Sequence, residues 1–246
     1  MRHAFARLAV IIAALTAPVA ALAEPIATLT ADGESYTIDV SRLDDKRWQF
    51  GTPAATGAKT AWHLDVAGKF AVTLTGVLDP DPSIAYALAV VDYGAPTTFG
   101  FTFFTPIVPT GTPNVVSSTL SGQLTDALGD GVSLTPTGAT VQSSSVGGPL
   151  TNMGVDLGAG ASHPGQVAPN SVYAYGPLAS GAVTGPGPGP WTQLQVIAGF
   201  SLSGGGDMAA LTGSASINPG SLNVPEPGLA TLLVAGLAAL VARRRR

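Results

Sequence analysis

The chain has 246 residues, of which 11% are charged, against roughly 25% in an ordinary soluble domain. It holds 31 Gly, 20 Pro and no Cys, which excludes a disulfide framework, a thiolate zinc site and a cysteine nucleophile. A net charge of −4 excludes a strongly basic nucleic-acid binder, and 46% hydrophobic content excludes general disorder.

The charge is partitioned along the chain. The two ends hold Arg2, Arg7 and Arg243 to Arg246, against the single acid Glu226. Residues 24–224 hold five basic and 14 acidic residues, a net of −9, and from Phe70 to Ala242 there is no Lys or Arg. The first 23 residues have a short basic start, an apolar run from Leu8 to Ala17, a helix-breaking Pro18, and Ala21-Leu22-Ala23. That layout reads as a secretory signal peptide over 1–23, with Ala21 and Ala23 as the small residues at the cleavage site before Glu24.

The basic residues 42–69 share their stretch with Asp44, Asp45 and Asp65, and read as a solvated surface with local ion pairs. Strand periodicity starts at Val66 and runs to Leu78, with Val72, Leu74 and Gly76 on one face and Ala71, Thr73, Thr75 and Val77 on the other. Asp79-Pro80-Asp81-Pro82 marks a turn. Ile84, Tyr86, Leu88 and Val90 alternate with small residues, and Thr98 to Phe103 alternates Thr or Gly with Phe. Asp92-Tyr93-Gly94, Gly129-Asp130-Gly131 and Gly147-Gly148-Pro149 are further turn signals, and Thr125 to Leu128 has the makings of one helical turn. Residues 143–190 are rich in Gly, Pro and Ser, and read as a loop-rich insertion ending in the low-complexity run Gly185 to Pro190. Strand periodicity returns at Leu194, Val196, Ala198, Phe200 and Leu202. The pattern predicts an all-β chain: a single β-sandwich or jelly-roll-like domain over 24–220, flanked by an N-terminal signal helix and a C-terminal membrane helix.

Few residues in this domain have the makings of a site. Asp79 with Asp81, and Asp126 with Asp130, are calcium candidates, because turns supply the carboxylate and carbonyl oxygens that calcium needs. The competing reading is that each Asp caps its own turn. Tyr173 and Tyr175, in the Gly- and Pro-rich region, are candidates for stacking on sugar rings. There is no G-x-S-x-G elbow and no H-E-x-x-H motif, and the Gly-rich runs lack the Lys-Ser/Thr of a phosphate loop. The expectation is a non-enzymatic domain that needs no cofactor.

The tail reads Val224-Pro225-Glu226-Pro227, then uncharged residues 228–242, then Arg243, Arg244, Arg245 and Arg246. As a helix, that apolar stretch spans about 22 Å, somewhat short of the ~30 Å hydrocarbon core, a deficit that snorkelling Arg side chains offset. Four Arg at its end orient it with that end cytoplasmic. The tripartite tail (221–246) resembles the PEP-CTERM sorting signal of Gram-negative bacteria. The resemblance implies recognition at Val224 to Pro227, a membrane segment at 228–242, and an Arg stop. It also implies transient processing by an exosortase in the inner membrane and an association with exopolysaccharide and the extracellular matrix. The segment from Trp62 to Ile107 resembles stretches of other exported bacterial proteins carrying such a tail. Together the two ends imply an exported protein, tethered transiently to the inner membrane and finally at the cell surface or in the matrix. Its β-domain is expected to be structural or adhesive. The alternative is a carbohydrate-binding module for exopolysaccharide.

Overall fold

The computed structural model describes residues 24–51, 61–107, 114–147, 150–165, 168–186 and 191–219. The signal-peptide reading with Ala21 and Ala23, and the tail reading at Val224–Pro227, 228–242 and Arg243–Arg246, lie outside those residues. Among the described residues the chain is all β, without a helix, and its strands form two antiparallel sheets.

The first sheet contains β1 (Ile26–Ala31), β2 (Glu34–Thr37), β8 (Thr97–Pro106), β10 (Gly131–Pro136), β11 (Gln142–Val146), β12 (Thr151–Asn152), β13 (Ala161–Pro164) and β16 (Gln193–Leu202). The second contains β3 (Val40–Arg42), β4 (Trp48–Phe50), β5 (Trp62–Val66), β6 (Phe70–Asp79), β7 (Ser83–Asp92), β9 (Asn114–Asp126), β14 (Ser171–Ala179), β15 (Val183–Thr184) and β17 (Asp207–Pro219). Its main path runs β14-β9-β17-β7-β6-β4-β3.

The period-two segments build the centre. In β7, Ile84, Tyr86, Leu88 and Val90 point inward, and in β8 so do Phe99, Phe101 and Phe103, all buried. Rings from opposite sheets meet: Phe50 and Tyr86 of the second sheet each lie 5.0 Å from Phe103 of the first. The sheets are thus joined face to face around one buried cluster, a sandwich-like arrangement in which the long strands give alternate side chains to the core.

One polar group crosses this core. Gln142 of β11 is fully buried, and its carbonyl oxygen accepts the Tyr86 hydroxyl at 2.6 Å. Its amide donates to Ser118 Oγ at 2.5 Å and to the Ser214 carbonyl at 3.1 Å. Gly213 leaves the room: a Cβ there would collide with Gln142 Oε1 and with the Tyr86 oxygen.

One expectation needs correction. Thr125 to Leu128 makes no helical turn: Thr125 and Asp126 end β9, and 127–130 bend into β10. Within residues 143–190, strands alternate with connections. These residues supply most of β11 and all of β12 to β15, which pair onto β16, β10 and β9. These are mostly short edge strands, and β14 carries Pro177 beside a register shift, a device that discourages pairing with another chain.

The two ends of the sandwich differ. At one end, called the sheet-changing end, the chain crosses between the sheets four times: β7 to β8, β9 to β10, β13 to β14, and β16 to β17. At the other, the hairpin end, three crossings (β2 to β3, β8 to β9, β15 to β16) lie beside the β3–β4 and β6–β7 hairpins, the start of β1 at Ile26 and the end of β17 at Pro219.

Candidate functional site: two acidic clusters and an uncharged trough

Three of the four crossings at the sheet-changing end contain a buried aspartate. Asp92 ends β7, and its carboxylate accepts the Thr97 N–H at 2.8 Å and the Thr97 hydroxyl at 3.1 Å. Asp126 ends β9 and accepts the N–H groups of Gly129 at 2.7 Å and Gly131 at 2.9 Å. Asp207 opens β17, accepting the Ala127 N–H at 3.1 Å and the Ser203 hydroxyl. The register pairs Asp207 with Asp92, and Met208 with Thr125, so three neighbouring strands end on acids. All three residues are at most 1% exposed, so each sharp corner has its orphan backbone donors satisfied by charge.

Carboxylate oxygens of Asp126, Asp130 and Asp207 lie within 4.8 Å of one another. Of the calcium candidates, this geometry gathers Asp126 and Asp130 and adds Asp207, which sequence reading missed because it lies far along the chain after Gly204-Gly205-Gly206. Burial pushes the Asp207 carboxyl above its usual range against the pull of Ser203 and Ala127, and the charges of Asp126 and Asp130 push the same way. Burial also raises Asp92, opposed by its bonds to Thr97. Asp126 and Asp207 are held by corner donors whether or not a cation is near, which is the turn-capping role.

The other pair, Asp79 and Asp81, lies at the opposite end. The Asp79 carboxylate accepts the Asp81 N–H at 2.9 Å, capping its own turn. Both line an open pocket of about 450 Å³ with Asp44, Asp45, Lys46 and Arg47. Arg47 pairs with Asp44 at 2.6 Å, the one ion pair among the described residues. Hydrogen bonds from the Arg47 side chain, then from the Arg47 and Lys46 backbone N–H groups, hold the exposed Asp44 carboxyl down to about 2. Asp79 and Asp81 thus share their pocket with basic side chains as well as with Asp44 and Asp45, and the close group of three carboxylates lies at the other end.

The tyrosine pair does not form an open stacking platform. Tyr175 is buried, its hydroxyl donates to the Ala159 carbonyl at 2.7 Å, and burial raises it to about 12. Tyr173 is half-buried, and His163 stacks on its ring with centroids 4.0 Å apart at 7°. Among the other aromatics, Trp62, Tyr86 and Trp191 are core, and Arg42 lies over the Trp48 ring at 5.1 Å. Tyr93 is exposed, at the sheet-changing end.

Sequence reading did not single out the outer face of the second sheet. There β6, β7, β17 and β9 form a shallow trough of about 620 Å³, walled on one side by Gly176 and Pro177 of β14. Its lining contains no charged side chain. The signal was present in the sequence as the small and hydroxyl residues alternating with the apolar ones in these strands. No protein-family model matches the chain, and no curated protein matches it.

Proposed function

We propose that the protein is an exported envelope or matrix component whose β-domain is the cargo and whose two ends are routing signals. The observation that carries this is the order of the tail: Pro225-Glu226-Pro227, uncharged residues 228–242, and Arg243 to Arg246, in a chain that opens with a basic, apolar, small-residue leader. The tail resembles a PEP-CTERM signal, so its transient partners are an exosortase and the inner membrane. The domain reaches its place after removal of residues 1–23 and processing near Pro225 to Pro227.

Two features of the fold support a domain carried on a single tether. The described strands begin at Ile26 and finish at Pro219 on the same end of the sandwich, opposite the end that holds Asp92, Asp126 and Asp207. The buried carboxylates are occupied in capping corners, which suits a structural or adhesive domain better than a catalytic one.

Replacing Pro225, Glu226 and Pro227 with Ala tests the reading. The expected result is uncleaved protein accumulating in the inner membrane, seen by fractionation. Normal release of mature protein from that variant would refute the sorting assignment.

A further inference from the structure

The trough on the second sheet is built from two rungs of register-matched residues. Thr75, Ala87, Thr212 and Ser121 form one across β6, β7, β17 and β9, and Thr73, Ala89, Ala210 and Gln123 form the next. Neighbouring strands lie about 4.8 Å apart, so each rung is about 14 Å long. Every side chain in the rungs is small or a flexible amide. The floor therefore has hydroxyl and amide groups at its ends, the Thr212 hydroxyl inside one rung, and the methyl groups of Ala87, Ala89 and Ala210 between.

No hydrogen bond ties the hydroxyls of Thr75, Ser121 and Thr212, or the Gln123 amide, to another described residue. Thr73 faces His63, whose Nδ1 is 3.2 Å from its hydroxyl. The backbone offers no continuous edge: β7 and β17 are paired on both sides, and within the trough β6 and β9 lack an outer register partner only at Thr75, Gly76 and Ser121. An extended peptide adds to a sheet through edge N–H and C=O groups, and that route is closed here.

Charge narrows the occupant. The trough has no cation to meet an acidic polymer, and the domain around it is net negative. Its area, on the order of 200 Å² from strand spacing and rise, is well short of the roughly 800 Å² per partner of a stable protein pair. What fits is an uncharged chain rich in hydroxyl groups that lies flat, exchanges hydrogen bonds with Thr, Ser and Gln, and rests its C–H faces on Ala87, Ala89 and Ala210.

We propose that this trough binds a neutral polysaccharide. The proposal deepens the adhesive half of the function argued above and is independent of the sorting half. Affinity comes from several modest hydrogen bonds, so a single trough holds its ligand weakly, and many copies along one polymer hold it firmly.

The test is affinity electrophoresis of the full chain in a polyoxyethylene detergent, through gels holding dextran, mixed-linkage β-glucan, galactomannan or acidic alginate. A polysaccharide-free gel corrects for differences in intrinsic mobility. The wild type is expected to be retarded by at least one neutral polymer and not by alginate. Thr75→Ala with Thr212→Ala should weaken retention about tenfold, at a few-fold per lost hydrogen bond. Thr212→Lys, which puts a charge into the trough at an exposed position, should lose it by at least as much. Unchanged denaturation midpoints would show that these surface variants are folded. Absence of retention by every neutral polymer, or preference for alginate, would overturn the proposal. Equal retention of the wild type and Thr212→Lys would move binding elsewhere, leaving the adhesive reading standing and the trough assignment refuted.

Discussion

The two ends of the sandwich solve the same problem of a concentrated negative charge in opposite ways. At the hairpin end, Asp44, Asp45, Asp79 and Asp81 stay in solvent beside Lys46 and Arg47, and the Asp44–Arg47 pair sits on the surface. At the sheet-changing end, Asp92, Asp126 and Asp207 are buried without a cationic side chain bonded to them, and backbone N–H and hydroxyl groups take the cation's place. The first arrangement is soft, since exposed pairs contribute little and are screened by salt. The second is structural: the donors it satisfies are those left open where β7, β9 and β16 leave their sheets. In a chain without Lys or Arg from Phe70 to Ala242, the donors bonded to these three acids are neutral dipoles.

That contrast is sharpest in a deletion. Asp126→Ala removes the acceptor for two corner N–H groups, and should cost about 2–3 kcal/mol in urea denaturation, partly offset by relief of its repulsion with Asp207 and Asp130. A loss well under 1 kcal/mol would mean that the corner is held by other contacts.

A titration probes the same end more gently. The folded-state pKa of Asp207 lies above its usual value, so the folded form takes up the proton more readily than the unfolded chain does. Its contribution is therefore fully present below about pH 4 and is lost as pH rises through the folded pKa. Asp207→Asn should flatten the decline of stability above about pH 4, read from denaturation midpoints across pH. An unchanged slope would show that Asp207 does not carry it.

The smallest effect belongs to the hairpin end, and it has the opposite sign. Asp44 is held down to about 2, so its contribution is present above its ordinary range and is lost as pH falls toward 2. Because the group is in solvent, Asp44→Ala should produce a slight shift at low salt that vanishes at high salt. A shift that persists at high salt would place Asp44 among the structural acids.

The sequence made the interior strands legible for a physical reason. β6, β7, β8 and β16 are long and bury one face, so Phe99, Phe101 and Phe103, or Ile84 to Val90, leave an alternation that little else produces. The strands from Gln142 to Thr184 left a weaker trace. β11 reads Gln-Ser-Ser-Ser-Val, and it is a strand because β16 offers it partners from Leu194 to Ala198, a tertiary cause with no local signature. Tyr175 shows the converse error. Its Gly- and Pro-rich surroundings suggested exposure, yet pairing with Gly122 on β9 turns its ring inward toward Gly158. The acid site was half legible. Asp126 and Asp130 share one turn, while Asp207 joins them only through the β9–β17 register. The trough depended on the same long-range pairing: its Thr, Ser and Ala residues were visible singly, but not as rungs.

That the domain is cargo delivered by removable ends is tested most directly by mass spectrometry of the protein recovered from outside the cells that make it, reading both of its termini. The predicted product begins at Glu24 and ends close to Pro225–Pro227, without residues 228–246. Recovery only of a membrane-bound chain still carrying Arg243 to Arg246 would contradict it.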